Sequence, residues 1–372
     1  MERRLSNPRP DWRQKFEALG FSFHSFDGGY WDETACYRFS ASEIDEIEET
    51  VAALHAMCLQ AVDHVISRGR FQEMDIPDAF VPLIERSWKA REPSLYGRMD
   101  LSYDGKRPPK LLEYNADTPT SVLEAAVAQW HWVEETGLPD QYNSLHEKLI
   151  DRWRFIAGGL PVAARVHFSC VKDNEEDQVT LEYLRDTAMQ AGVATRSCYI
   201  EDIGWDGKRF LDLDNEPLDA LFKLYPWEWL MREEYGQHLI DAGMRIIEPP
   251  WKSVLSNKGI LPILWELFPD HPNLLPAYLE PEKLGPTYVV KPVHSREGAN
   301  VRLVEGSRYV ESDGPYKGRV IYQGMARLPE FTGRYPVIGC WVVGDAPAGM
   351  GIREDASPIT TNASRFVPHF FE

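Results

Sequence analysis

Apolar residues between 41 and 68 recur at helical spacing, with Ile44, Ile47, Val51, Leu54 and Cys58 on one stripe. This predicts a long amphipathic helix, with Ser42 as its cap and Glu43, Asp45 and Glu46 in a first turn where the helix dipole favours acids. The same period predicts helices over 77–91, from Ser121 to about Glu135, and over 141–156; Gly137-Leu138-Pro139 and Gly158-Gly159 stop the last two. From 164 the pattern changes to short apolar runs at 164–171, 195–200, 210–213 and 220–225, with a helix over 180–191 between the first two. Strands are predicted again at 287–291, 301–304, 319–322, 336–343 and 348–352, and the apolar tail reads as packed. Residues 11–40, where aromatics mix with Gly and Asp, read as irregular, strand-like chain wrapping the core.

The pattern is most informative at 110–126, KLLEYNADTPTSVLEAA. A short apolar run passes into Glu113, Asn115 and Asp117, and alternate residues on an extended segment share a face. Thr118 or Ser121 then offers a helix N-cap, with Glu124 in the capping-box position relative to Ser121. Upstream, Tyr96-Gly97-Arg98-Met99-Asp100-Leu101 and the turn Asp104-Gly105-Lys106 make a hairpin with this run. The hairpin brings Arg98 and Asp100 beside Glu113 and Asn115. One cation and several oxygen ligands near a helix N-terminus suit a phosphate and a hard metal ion; the same spacing also fits a plain polar strand–turn–helix junction.

Composition narrows the classes. The 372 residues, 43% hydrophobic and 12% aromatic, are those of a globular chain able to bury a sizeable core. A formal charge of −18 disfavours nucleic acid as a partner and is compatible with cationic small molecules, although acidity is common in soluble proteins. The five cysteines are scattered, with no CxxC pair or Cys/His cluster, so neither a disulfide framework nor a zinc site is expected. The N-terminal stretch lacks an apolar signal core and no run reaches membrane-spanning length, so the expectation is a cytoplasmic protein without a membrane partner.

Three further stretches carry candidate chemistry. The turn after the run at 164–171 is acidic, with Glu175 and Glu176 between Asp173 and Asp177, and it stands at a strand's carboxyl end, where open α/β sheets bind ligands. The segment TYVVKPVHSREGAN at 287–300 sets a strand against a small-residue loop with Lys291 and Arg296, able to approach phosphate. It is neither a Walker A loop nor a dinucleotide fingerprint. The run at 319–322 ends at Gln323.

Taken together, GRMD, LLEYNADTPTSVLEAA and LSNKGILPILWELFPDHPNLLPA resemble the synthetase domain of glutathionylspermidine synthases, in order, from about Phe16 to His369. The resemblance implies an α/β (mixed α+β) chain with the ATP-grasp fold and a small lid closing over nucleotide. It implies one synthetase unit over 1–372, with parts 1–160 (helical, with the hairpin), 161–250 (substrate side), 251–325 (lid) and 326–372 (core strands). Its cofactors are ATP and Mg²⁺. By the resemblance, Asp100, Glu113 and Asn115 ligate magnesium, and Arg98 contacts the transferring phosphate. Lys258, Lys291, Glu297 and Gln323 hold ATP with Arg98 and Arg296, while Arg296 and Arg353 stabilise charge in the transition state. Thr118 and Thr120 hold a thiol peptide, and Glu175 and Glu176 grip an amino group. The implied activity is a carbon–nitrogen ligase that joins a glutathione-like carboxylate to a polyamine-like amine through an acyl phosphate. A nucleotide-binding protein with only ATPase or a regulatory role is the alternative. Bifunctional members carry an amidase domain ahead of the synthetase; no amidase activity is expected here. Oligomeric state stays open.

Overall fold

The computed structural model describes residues 1–161 and 164–372. Its centre is an antiparallel five-stranded sheet in the order Arg365–Val367, Ala346–Asp355, Tyr335–Val343, Tyr96–Ser102, Lys110–Asn115. The expected hairpin therefore exists, and strands from the far end of the sequence complete its sheet. Every residue of Tyr96–Ser102 is buried. Met99 and Leu101 join one core with Ile44, Ile47, Val51, Leu54 and Cys58 of the helix Ala41–Arg68, while Arg98 and Asp100 point to the opposite face, into a cleft.

Pairing within the hairpin is Arg98↔Asn115 and Asp100↔Glu113, then a bulge, then Leu101↔Leu111. The bulge inserts Leu112 and resets the alternation. Leu111 is thereby buried in the core, while Leu112 and Glu113 both line the cleft.

A second antiparallel sheet, ordered Ala277–Tyr278, Val320–Gly324, Thr287–Pro292, Arg302–Glu305, Arg308–Glu311, forms the cleft's other wall. Lys291 Nζ and Gln323 Nε2 reach from it to the carbonyls of Leu112 (2.9 Å) and Leu111 (3.2 Å). A parallel sheet, ordered Arg245–Ile247, Ala220–Lys223, Val166–Cys170, Thr195–Tyr199, stands alongside. Its buried apolar strands share a core with the helices Leu145–Ala157 and Glu175–Gln190, as covered parallel strands require. The fold is thus mixed α/β. The tail is packed: His369–Phe371 pairs in parallel with Ala35–Phe39. All five cysteines are free, and among the described residues no helix is long and apolar enough to cross a membrane.

Several local expectations shift. The long helix is capped by Ser40 in place of Ser42, in a capping box with Glu43: Ser40 keeps extended backbone while Ser42 is already helical. Residues 11–40 include a helix, Trp12–Ala18, and a 3-10 segment, Ser22–Gly28, before the strand. The helix expected over 141–156 begins at Leu145. The helix expected from 180 begins at Glu175, capped by Asn174, whose side chain accepts from the Asp177 amide.

Candidate active site

Eleven of the fourteen site residues picked out in the sequence line one cleft between the two antiparallel sheets: Arg98, Asp100, Glu113, Asn115, Thr118, Thr120, Lys291, Arg296, Glu297, Gln323 and Arg353. Strand alternation brings the first four together. Asn115 Nδ2 lies 3.4 Å from Asp100 Oδ2 and 3.2 Å from Glu113 Oε1, so three oxygen-bearing side chains converge.

Cations surround this group. Arg98 donates to Asp100 Oδ1 (2.7 Å) and Oδ2 (3.2 Å), and to the Thr120 carbonyl (2.8 Å). Arg353, from the Ala346–Asp355 strand, reaches Asp100 Oδ2 at 2.9 Å. Lys258 does not line the cleft but touches it from behind, 3.1 Å from Glu113 Oε2, with its ammonium also bonded to the Ser295 carbonyl. Burial works to raise the Glu113 carboxyl, yet Lys258 and Lys291 outweigh it and hold the group at about 2. Burial brings the Lys291 ammonium down to about 8 despite Glu113. Burial, then Arg98, lowers the Arg353 guanidinium. Four cations therefore meet in one place on a chain whose net charge is −18.

The loop after Thr287–Pro292 carries Arg296, which donates to Thr118 Oγ1 (2.6 Å) and to Glu228 Oε1 (2.9 Å). Glu228, in the short helix Trp227–Leu230, escaped the sequence reading because nothing in its neighbourhood marks it as facing this loop. Glu297 and Asn300 adopt positive φ (53° and 54°), and Gly298 (φ 68°) sits where an added Cβ would come within 2.2 Å of the Thr360 carbonyl. The loop thus needs its glycine.

Three expectations need correction. Asp117 leaves the face of Glu113 and Asn115 because the strand ends at Asn115; it is buried against Lys223 Nζ (2.6 Å) and the Trp227 amide (2.8 Å). Glu124 makes no capping box with Ser121. Ser121 holds φ 69°, the chain winds as a π turn over Glu124–Ala128, and Glu124 accepts from Tyr30. Glu175 and Glu176 occupy the first turn of a helix rather than a loop, because the Asn174 cap starts that helix early. Glu175 is exposed and bonded by Ser22, whereas Glu176 is half-buried. Glu176 lies near Asp177 and Glu297: burial, then Glu176 and Glu297, push Asp177 up to about 7, and burial, then Glu176, raise Glu297.

A family model described as glutathionylspermidine synthase preATP-grasp matches residues 3–372. A Haemophilus influenzae protein whose name assigns it provisionally to the acid–amine ligases is 43% identical, over 98% of this chain and 97% of its own length. Trypanothione synthetase of Crithidia fasciculata is 31% identical over 84% of this chain, and the bifunctional glutathionylspermidine synthetase/amidase of Escherichia coli 29% identical over 89%. The matched parts are 53% and 58% of those two longer proteins. In fold the chain resembles a glutathione synthetase-like effector from Globodera pallida, with TM-score 0.57, 11% identity and 92% of each chain covered. The class these observations define is that of carbon–nitrogen ligases acting on an acid and an amine. More particularly, the chain belongs to the glutathionylspermidine synthase preATP-grasp family.

Proposed function

We propose that the chain activates a peptide-like carboxylate with ATP as an acyl phosphate and passes the acyl group to a polyamine-like amine, within an ATP-grasp architecture. The observation that carries this reading is the convergence of Arg98 and Arg353 on Asp100 and of Lys258 and Lys291 on Glu113, beside Asn115, with Arg296 lining the same cleft. A carboxylate and a triphosphate repel each other, and bringing them into contact calls for positive charge set in advance.

The residues fit a magnesium ion. Two carboxylates and one amide stand side by side, Glu113 is held ionised, and the amide's two contacts are long (3.2 and 3.4 Å). Turning the Asn115 amide over completes an oxygen-only set of the kind hard cations take. Asp100, Glu113 and Asn115 would hold the ion, which screens phosphate charge when bound. Lys258 and Lys291 bind the phosphates, with Gln323 and the apolar wall of Val289 and Leu303 taking the base. Arg98, Arg296 and Arg353 hold the developing charge on the transferring group, Glu297 closes the loop side, and Thr118 and Thr120 orient the acid. Glu176 receives the amine's remote ammonium, with Glu175 at the outer rim. The sheet Thr287–Gly324 serves as the lid. The alternative role, ATP hydrolysis or regulation alone, has less support, since the set that phosphoryl transfer requires is intact.

Glutathione and spermidine are the substrates to try first, given the names of the relatives. With Mg·ATP, ADP release is expected only when acid and amine are both present, with a product of the amide's mass. ADP release indifferent to both substrates, or none across a panel of acid and amine pairs, overturns the reading. Glu113→Ala should lose turnover and the dependence on magnesium concentration together.

A further inference from the structure

Tyr30 and Ser121 line the cleft on the same side as Thr118 and Thr120, and behind them lies Glu124, fully buried. The Tyr30 hydroxyl donates to Glu124 Oε1 at 2.7 Å, and the same hydroxyl stands 3.0 Å from Ser121 Oγ. A continuous hydrogen-bonded line therefore runs from a buried carboxyl to the cleft surface. Glu124 Oε2 is buried with no partner, and among the described residues no lysine or arginine forms an ion pair with Glu124. An un-neutralised buried carboxyl is costly, and a glutamine or an apolar residue would serve packing better. The backbone is unusual at the same place, with the positive φ of Ser121 followed by the π turn that begins at Glu124. Such departures gather where a side chain must be aimed for a task.

We infer that Glu124, acting through Tyr30 and Ser121, is the proton-holding group that deprotonates the incoming amine. The inference rests on the acid–amine ligase reading of the cleft. An amine reaches the site as R–NH3⁺ and cannot attack carbon until it loses a proton. The ammonium gives a proton to Ser121 Oγ, whose own proton passes to the Tyr30 oxygen, whose proton passes to Glu124. The outcome is neutral R–NH2 and a protonated carboxyl. Attack then forms the C–N bond and breaks the C–O bond to phosphate, which leaves with the second amine proton, and Glu124 returns its proton to solvent by the same line. Glu124 touches neither substrate, so it is a positioning residue that works through two others.

The groups facing it are consistent with the role. Burial and Glu176, from the helix Glu175–Gln190, push the Glu124 carboxyl up to about 7, while Tyr30 and Arg98, from two other segments, act in the opposite direction. A base poised near the working pH is the most effective one. Glu176 does not line the cleft, but its charge acts on Tyr30 and Glu124 and on Glu297, which does line it, so the group proposed to receive the amine and the proton line are neighbours.

Two measurements on the full chain test this. The first is an infrared pH titration, which should show a carboxyl band titrating near neutrality that vanishes in Glu124→Gln and shifts in Tyr30→Phe. The second compares two amines with glutathione and Mg·ATP: spermidine, which arrives charged, and hydroxylamine, which is largely neutral at neutral pH. Glu124→Gln should lower kcat with spermidine by about a hundredfold and abolish the acid limb of the kcat/KM profile, yet keep hydroxamate formation and the KM for ATP close to wild type. Tyr30→Phe should give the same split should the glutamine variant fold poorly. Equal losses with both amines and an unchanged pH profile, or no titrating band, overturn the inference. Absence of ADP from the wild type with either amine, beside an intact infrared titration, would fell the ligase reading, and the amine's role here with it.

Discussion

Gly339 faces the cleft from the Tyr335–Val343 strand, opposite Asp100, and the Arg98 side chain lies across it. A Cβ there would come within 2.8 Å of Arg98 Cδ. Gly339→Ala should therefore displace the guanidinium while leaving the sheet paired. Turnover is expected to fall by about ten- to a hundredfold, the scale of a misplaced catalytic group, with the melting temperature little changed. Unchanged kcat would show that Arg98 is not needed where it stands. Arg98, Asp100, Glu113 and Asn115 were legible in the sequence because a period of two and a hairpin turn suffice to place them together. Asp117 was misread because alternation holds only while the strand lasts, and the strand stops at Asn115. Tyr30 and Glu228 gave no signal, since neither local pattern nor spacing shows which distant segment will face a cleft.

At the scale of the element, the early start of the helix Glu175–Gln190 fixes how its acids are presented. Glu176 sits half-buried in the first turn, where the positive end of the dipole favours an acid, and its charge acts on Tyr30, Asp177 and Glu297. Glu176→Gln should raise the amine's KM by about ten- to a hundredfold before it affects ATP, the worth of one charge-assisted contact. An unchanged KM would return Glu176 to the solvent. The sheet Thr287–Gly324 shows the opposite character: Val289, Val301 and Ile359 form a small core of their own beneath it. Ala277 and Ile321 join the main core, but the outer strands Arg302–Glu305 and Arg308–Glu311 bury no residue, which leaves local opening there inexpensive. Protease cleavage within 302–317 should slow when a non-hydrolysable ATP analogue is bound, and equal rates would argue against closure of this sheet over nucleotide. Three of its strands, Thr287–Pro292, Arg302–Glu305 and Val320–Gly324, were legible, while Ala277–Tyr278 and Arg308–Glu311 were not, nor was the core each joins, because composition does not reveal it.

At the scale of the molecule, buried histidines tie stability to pH. Burial pushes the His369 imidazole from its usual 6.5 down to about 3, and burial lowers His167 and His294 as well. The native ring stays neutral where the unfolded ring takes up a proton. The stability this ring confers is therefore complete above the usual imidazole value and is lost as pH falls from about 6.5 towards 3, by at most about 1.4 kcal/mol per pH unit. Thermal melts at pH 7 and pH 5 should differ less in His369→Gln than in wild type, and an identical difference would remove His369 from the account. The division into mixed α/β layers was legible from the change of period near residue 164. The sharing of one sheet by residues near 100 and near 350 was not, since nothing local reports a pairing over such separation.

That sharing bears on how the enzyme is made. Tyr96–Ser102 lies between Lys110–Asn115 and Tyr335–Val343, and Arg353 reaches Asp100 only from the strand after that. On the ribosome the hairpin emerges first and must wait, one long edge unpaired, while the parallel sheet and the Thr287–Gly324 sheet are synthesised. An exposed edge of this kind invites mispairing with another chain. The helix Ala41–Arg68 is already translated and can shield one face of the waiting hairpin. Ribosome-stalled chains ending near residue 330 should accordingly engage chaperones and bind no nucleotide, and the site should close only once the strands at 335–355 leave the exit tunnel.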